Sequence, residues 1–427
     1  MINKKLSKTL GPALGIMGFA LALGIMETPA SAEDKAQTTS AYTNIAATTT
    51  TSAAVTVKDY SININKSETQ NGFKVTVDKA LATKKNLKVT LKIESDKPFD
   101  KIDYDESIFE LTYGNSTDFG GTGDSIEYID NKTMIVTLKT NSYEGEYPEK
   151  GEMRVDVVLS KYKVNLGIDI PVDFTECFKY ATEKNISGKI PELNSTLTKF
   201  ESDVMGTRII STSPRENASN KEKSETLFNS SIILKIGDKM YKTRPRNNPS
   251  DDNKVRINNY EATLPTYDMV KNEKNISLIP LICNLTSDDL DKIYSKDTIK
   301  ENIIGKDTLN NVNYDKNFDF ANGSKGEIYN IERTENTVKV YCKGQSEKEG
   351  LLMASNIRLN YHYEKEKDDN LFYNNNYSSF YKDPKESLGY IVEFNNFEKN
   401  KNAELHFNKI IKQVDNYKLS DEIKLAD

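Results

Sequence analysis

Tryptophan is absent from this 427-residue chain, and histidine occurs only at His362 and His406. Tryptophan is a common stacking platform for sugars, so its absence weighs against a carbohydrate site of that kind. Histidine is the usual general base near neutral pH and a frequent metal ligand, so a hydrolase or zinc enzyme has little to work with. No Ser-His-Asp order, His-Glu-x-x-His motif, phosphate-binding glycine loop or nucleophile elbow is present. The sequence therefore implies no cofactor and no recognisable catalytic set.

Cysteine is also scarce. Cys177, Cys283 and Cys342 are widely spaced and odd in number. Cys283 sits in the apolar run Leu278-Ile279-Pro280-Leu281-Ile282-Cys283, and Cys342 continues the Val338, Val340 face. The first reading is three buried small hydrophobes. The alternative is a Cys283–Cys342 disulfide, which an oxidising compartment would permit. Positive charge is in deficit too: 58 Lys and Arg face 64 Asp and Glu, and no basic stripe offsets the sign. This excludes an ordinary nucleic-acid surface.

What is present begins with an export signal. Lys4, Lys5 and Lys8 precede an apolar run from Leu10 to Met26, and Ala30-Ser31-Ala32 follows before Glu33-Asp34. A positive start, an apolar middle and a small-x-small site are the parts of a signal peptide over residues 1–32. The alternative is an uncleaved membrane anchor, for which the run is short and interrupted by Pro12 and glycines. Removing the three lysines and one glutamate of this segment takes the formal charge from −6 to −8. Residues 33–56 are rich in Thr and Ala, cannot bury enough apolar surface to fold, and read as a stalk.

From Val57 the hydrophobic period is two. Tyr60, Ile62 and Ile64, then Phe73, Val75 and Val77, then Leu87, Val89, Leu91 and Ile93 alternate with polar residues. Further short strands read through Leu159. Such strands without intervening helices predict an antiparallel immunoglobulin-like sandwich over 57–172. Phe174, Cys177, Phe178 and Ala181 fall at helical spacing and predict a linking helix over 173–185. The pattern then returns to strands, giving a second β domain over 186–315 and a third, or a continuation of the second, over 316–427. The fold class is mainly β, with two or three immunoglobulin-like antiparallel β-sandwich domains and short linking helices.

Two acidic clusters, Asp100, Asp103, Asp105 and Glu106, and Asp118 with Asp124, supply oxygen atoms but lack calcium-loop spacing. Solvated loop carboxylates are the simpler reading, so no metal is assigned. Near the C-terminus Phe372, Tyr373, Tyr377, Phe380 and Tyr381 are interleaved with Asn and Ser, as in an adaptable recognition loop. The plain alternative is a loop that packs its own aromatics. These five residues are the candidate partner-binding loop.

Asn65-Lys66-Ser67 with Gln70-Asn71-Gly72, then Ile93-Glu94-Ser95-Asp96-Lys97-Pro98-Phe99, resemble the bacterial domain-of-unknown-function family 4179. Val172-Asp173-Phe174-Thr175-Glu176, Phe200-Glu201-Ser202 and Gly206-Thr207-Arg208-Ile209-Ile210 are similar to its continuation. The resemblance spans about residues 57–285 and implies an immunoglobulin-like extracytoplasmic module of a Gram-positive bacterium. In many relatives this module is the outer half of an anti-sigma-like membrane protein. Here the apolar run starts at residue 10, so the expectation is an outer module exported without a cytoplasmic half.

Together these features predict a secreted or cell-surface, non-enzymatic interaction or sensing module. Its partner would be a protein or cell-envelope component, with membrane contact only if the signal segment is retained. The alternatives are an envelope-associated hydrolase or inhibitor with an unrecognised site, and a structural surface protein.

Overall fold

The computed structural model describes residues 58–99, 106–114, 125–142, 145–214, 230–247, 255–295, 307–361, 372–373, 378–397, 399 and 402–425. The expected signal and stalk lie outside the described residues, as do Asp100, Asp103, Asp105, Asp118 and Asp124. The chain is mainly β, built from antiparallel sheets with few helices.

The alternating stretch after Tyr60 folds as a two-sheet sandwich. Strands Ile62–Gln70, Phe73–Ala82, Asn86–Ser95, Thr133–Asn141 and Ser125–Asp130 form one sheet in that order. Ser107–Tyr113, Lys150–Leu159 and Val164–Asp173 form the other. Alternate residues turn inward, so that Val75, Val77, Val89, Leu91 and Val136 meet Leu111, Val155, Val157 and Ile168 in one core. Each such side chain contributes about 1.5–3 kcal/mol by leaving water, which is why the period of two dominates. Asn71 and Gly72, both at positive φ, make the two-residue hairpin that sets the register Gln70↔Phe73.

The predicted linking helix is shorter than its spacing implied. It covers only Thr175–Phe178, and Ala181–Ile190 is a strand paired with Ser195–Asp203. Phe174 and Cys177 already bury in the first core, so a further helical turn has nothing to pack on. The extended chain gains a ladder of backbone hydrogen bonds instead.

The rest of the chain is layered around one long sheet. In order it contains Asn317–Asp319, Lys325–Arg333, Thr337–Lys343, Gly389–Asn395, Ser378–Lys382, Lys239–Lys242, Ser231–Ile236, Ile276–Cys283 and Tyr417–Leu419. Ile423–Lys424 also pairs with Ile276–Cys283. Strands from both sides of residue 315 are thus hydrogen-bonded into the same sheet.

One face of this sheet presents Ile232, Leu234, Leu278 and Ile282 to Leu197, Phe200, Ile209 and Tyr260 of a five-stranded sheet. That sheet runs Arg244–Asn247, Val255–Ala262, Gly206–Pro214, Ser195–Asp203, Ala181–Ile190. The other face presents Ile233, Leu281, Cys283, Val340, Val392 and Phe394. These meet the helix Glu347–Asn356 and the apolar side of a further sheet, through Leu352, Val312, Leu359 and Leu405. The further sheet runs Asp307–Leu309, Val312–Tyr314, Ala403–Phe407, Ile357–Tyr361, Phe372–Tyr373, and its Val312–Tyr314 strand is parallel to Ala403–Phe407. Ile276–Cys283 is apolar almost throughout because both its sides are buried.

Cys177, Cys283 and Cys342 are free thiols, so the disulfide alternative does not form even though Cys283 and Cys342 share a core. Burial pushes all three thiols up. Ellman's reagent should therefore leave the folded protein unmodified at pH 8 and react with all three thiols in denaturant. Rapid reaction of any thiol before unfolding would contradict this packing.

An ion chain joins the first sandwich to the next sheet. Lys84 binds Glu183, which also pairs with Lys199 at 2.8 Å; Lys199 continues to Glu201 at 2.6 Å, and Glu201 binds Arg208. At Glu201 burial pushes the carboxyl up, but Arg208 and Lys199 outweigh it and hold it below 4.5. Lys199 and then Lys84 hold Glu183 down as well. A depressed carboxyl stabilises the fold above its ordinary value, and that contribution is lost as pH falls through the folded value. Acidification below about pH 4.5 should remove on the order of 1 kcal/mol, solvent screening included. In Glu201→Gln this part of the acid dependence should vanish from pH-dependent urea unfolding.

Candidate functional site

The five aromatics expected to form one recognition loop are distributed differently. Phe372 and Tyr373 form an edge strand that pairs with Tyr361 and Asn360. Tyr377 lies outside the described residues. Phe380 is 3% exposed within the core, whereas Tyr381, the next residue of the same strand, faces the opposite side of the long sheet. Consecutive strand residues alternate faces, so two adjacent aromatics of one strand cannot share a surface.

Tyr381 belongs to a different aromatic surface. Across three neighbouring strands Tyr341, Ile391 and Tyr381 stand in one row, because Tyr341 pairs with Ile391 and Ile391 with Tyr381. The next row is Lys339, Glu393 and Ser379. Tyr329, at a bulge in Lys325–Arg333, leans over Gly389 and meets the Tyr341 ring edge-on, with centroids 5.9 Å apart. All lie on the face opposite Val338, Val340, Val392 and Phe394.

The polar tips of this surface are tied down. The Tyr329 hydroxyl donates to Asp383 Oδ2 at 2.6 Å. Glu393, 3% exposed, accepts from Lys239 at 3.3 Å, and the Lys339 ammonium lies 3.8 Å from it. Lys343 binds Glu386 at 3.1 Å and lies over the Tyr329 ring at 5.4 Å. Burial first, then the Glu393 carboxylate, pushes the Tyr381 hydroxyl up to about 12. Tyr341 is raised by burial and by Glu332, and Tyr329 by burial and by Asp383. All three hydroxyls are therefore neutral donors at physiological pH.

Among the described residues this surface brings no nucleophile together with a base. Its carboxylates are held by lysines or tyrosine hydroxyls, and its rings are fixed in place. Such an arrangement favours recognition, since little side-chain freedom remains to be lost on binding. Gly389 makes it possible: a Cβ there would come within 2.6 Å of the Tyr329 hydroxyl and 2.8 Å of Glu386. Gly389→Ala should cost about 1–2 kcal/mol and alter the near-ultraviolet circular dichroism of the tyrosines. An unchanged spectrum would show that Tyr329 does not depend on that space.

The sequence reading missed this surface because Tyr329, Tyr341 and Tyr381 come from three separate strands. The signal available in advance was alternation: Lys339, Tyr341 and Lys343 are the polar partners of Val338, Val340 and Cys342. Elsewhere His406 lies 3.3 Å from Glu404, and His362 is outside the described residues. Among the described residues no group of three or more metal-ligating side chains comes together, and no helix is long and apolar enough to cross a membrane.

No family model and no curated protein matches the chain. Among solved structures, the crystal structure of a conserved domain protein from Bacillus anthracis is similar at 14% identity. That likeness covers 55% of this chain and 82% of the other, with a TM-score of 0.36, too slight to carry an argument about function.

Proposed function

We propose that this protein is an exported, non-enzymatic recognition module of the cell envelope, and that the Tyr329, Tyr341, Tyr381 face is its ligand surface. The observation that carries the reading is that three tyrosines stand on one rigid sheet with their polar surroundings already paired. A catalytic site would instead hold a base or nucleophile poised for a substrate. The lysine-led apolar N-terminus and Ala30-Ser31-Ala32 support export. The resemblance to family 4179 fits an extracytoplasmic module.

The test is retention of envelope fractions by the immobilised protein, compared with a Tyr341→Ser, Tyr381→Ser variant. Both tyrosines are half-buried on a sheet face, so the variant retains the core. Binding by the native protein and its loss in the variant would support the proposal. Equal retention by both would remove this face from it, and no retention by either would remove the recognition role.

A further inference from the structure

A second feature, separate from the tyrosine face, lies where Lys239–Lys242 meets the end of the helix Glu347–Asn356. The Lys242 amine donates to Asn356 Oδ1 at 2.5 Å, and the two residues are 114 apart in sequence. A carbonyl carbon lies only about 1.2 Å behind its oxygen. The lysine nitrogen is therefore close to the near-attack range of about 3–3.5 Å from Asn356 Cγ. Asn356 is buried, and the far side of its carboxamide is fixed. Its Nδ2 donates to Leu352 O at 2.9 Å and to Ser355 Oγ at 3.1 Å, while Ser355 Oγ donates to Leu351 O at 2.7 Å. The helix thus presents Oδ1 and Cγ to the lysine and keeps the amide nitrogen turned away from it.

Lysine is a nucleophile only when its amine is neutral. Among the described residues the partner of Lys242 is this uncharged amide, not a carboxylate that would hold its proton. Burial, then Arg358 and Arg244, lower the ammonium to about 7, against the pull of the Cys283 thiol. A substantial share is therefore neutral amine at physiological pH, where an ordinary lysine is almost wholly charged. The free, buried Cys177, Cys283 and Cys342 provide no covalent tie in this chain.

We propose that Lys242 and Asn356 join in an intramolecular isopeptide bond that ties the long sheet to the helix. The amine nitrogen attacks Cγ, the Nζ–Cγ bond forms and the Cγ–Nδ2 bond breaks. A proton from the amine goes to Nδ2, which leaves as ammonia, so no oxidant, reductant or second substrate is consumed. Proximity and fixed orientation substitute for a high amine concentration. The product has no charge left to desolvate, and its N–H remains a donor.

The test is the intact mass of the full chain after prolonged incubation at pH 8, followed by tryptic peptide mapping. The native protein should weigh one ammonia less than its sequence, and the peptide containing Lys242 should be found joined to the one containing Asn356. Lys242→Arg keeps a charge and a donor at this position but no usable nucleophile, and should show its full sequence mass. Asn356→Ala should do the same. Each variant should also unfold several degrees below the native protein, because a cross-link spanning 114 residues restricts the unfolded chain. A native chain of full sequence mass, or an ammonia loss without the joined peptide, would overturn the proposal. So would an ammonia loss that persists in both variants. None of these results bears on the tyrosine face.

Discussion

Ile232→Ala and Ile233→Ala should each destabilise the layered region by about 2–4 kcal/mol, although the two residues are neighbours in one strand. Ile232 is buried in the core shared with Leu197, Phe200 and Tyr260. Ile233 is buried in the core shared with Val340, Val392 and Phe394. On a sheet with one wet face, one of the two substitutions would cost less than about 0.5 kcal/mol. Here both faces are dry, and each truncation leaves a cavity in a different core. Because the two share few partners, the double variant should lose nearly the sum. Urea unfolding of the three variants measures this directly. If either single variant were silent, the sheet would not be covered on that face.

The second large effect is expected at Phe174→Ala, about 3–5 kcal/mol. Phe174 has no exposed surface and meets the Tyr113 ring edge-on at 5.5 Å. Its backbone N–H donates to Glu149 O at 2.7 Å, which holds the chain against the sandwich as it leaves Val164–Asp173. Removing the ring deletes both an aromatic contact and a large part of the filling at that end of the core. Phe174→Leu, which keeps most of the volume, should cost no more than about 1.5 kcal/mol. Unfolding followed by near-ultraviolet circular dichroism reads the loss through Tyr113. Equal costs for the two substitutions would show that the ring itself does not matter there.

The parts of the fold visible in the sequence are those buried on one side. Val75, Val77, Leu91 and Ile93 alternate with polar residues because one face of their sheet meets the core and the other meets water. The strand Thr337–Lys343 shows the same alternation through Val338, Val340 and Cys342, and its hairpin with Lys325–Arg333 pairs Arg333 with Val338 around Glu335 and Asn336. At the start of Ser287–Ser295, Thr286 Oγ1 accepts from the Asp289 N–H at 3.2 Å.

The helix Glu347–Asn356 escaped notice for the converse reason. Glu349, Gly350, Leu351, Leu352, Met353 and Ala354 are all buried, so no apolar stripe distinguishes one side. Its start was nonetheless marked by the reciprocal cap between Ser346 and Glu349. Gly350 permits the tight approach, since a Cβ there would lie 2.8 Å from Leu388 O and 3.0 Å from the Tyr390 ring.

The sequence by itself determined the class of this protein: mainly β, poor in catalytic histidine, acidic, and led by an apolar segment behind three lysines. Those properties depend on composition and on the spacing of neighbours, which a linear chain displays in full. Only the tertiary structure decided that strands from both sides of residue 315 share one sheet. It also decided that Phe380 serves the core while Tyr381 joins Tyr341 and Tyr329. Each of these depends on register and on which strands become neighbours. A shift of one residue would exchange the two faces of a strand, and local pattern does not encode which distant strand lies beside it.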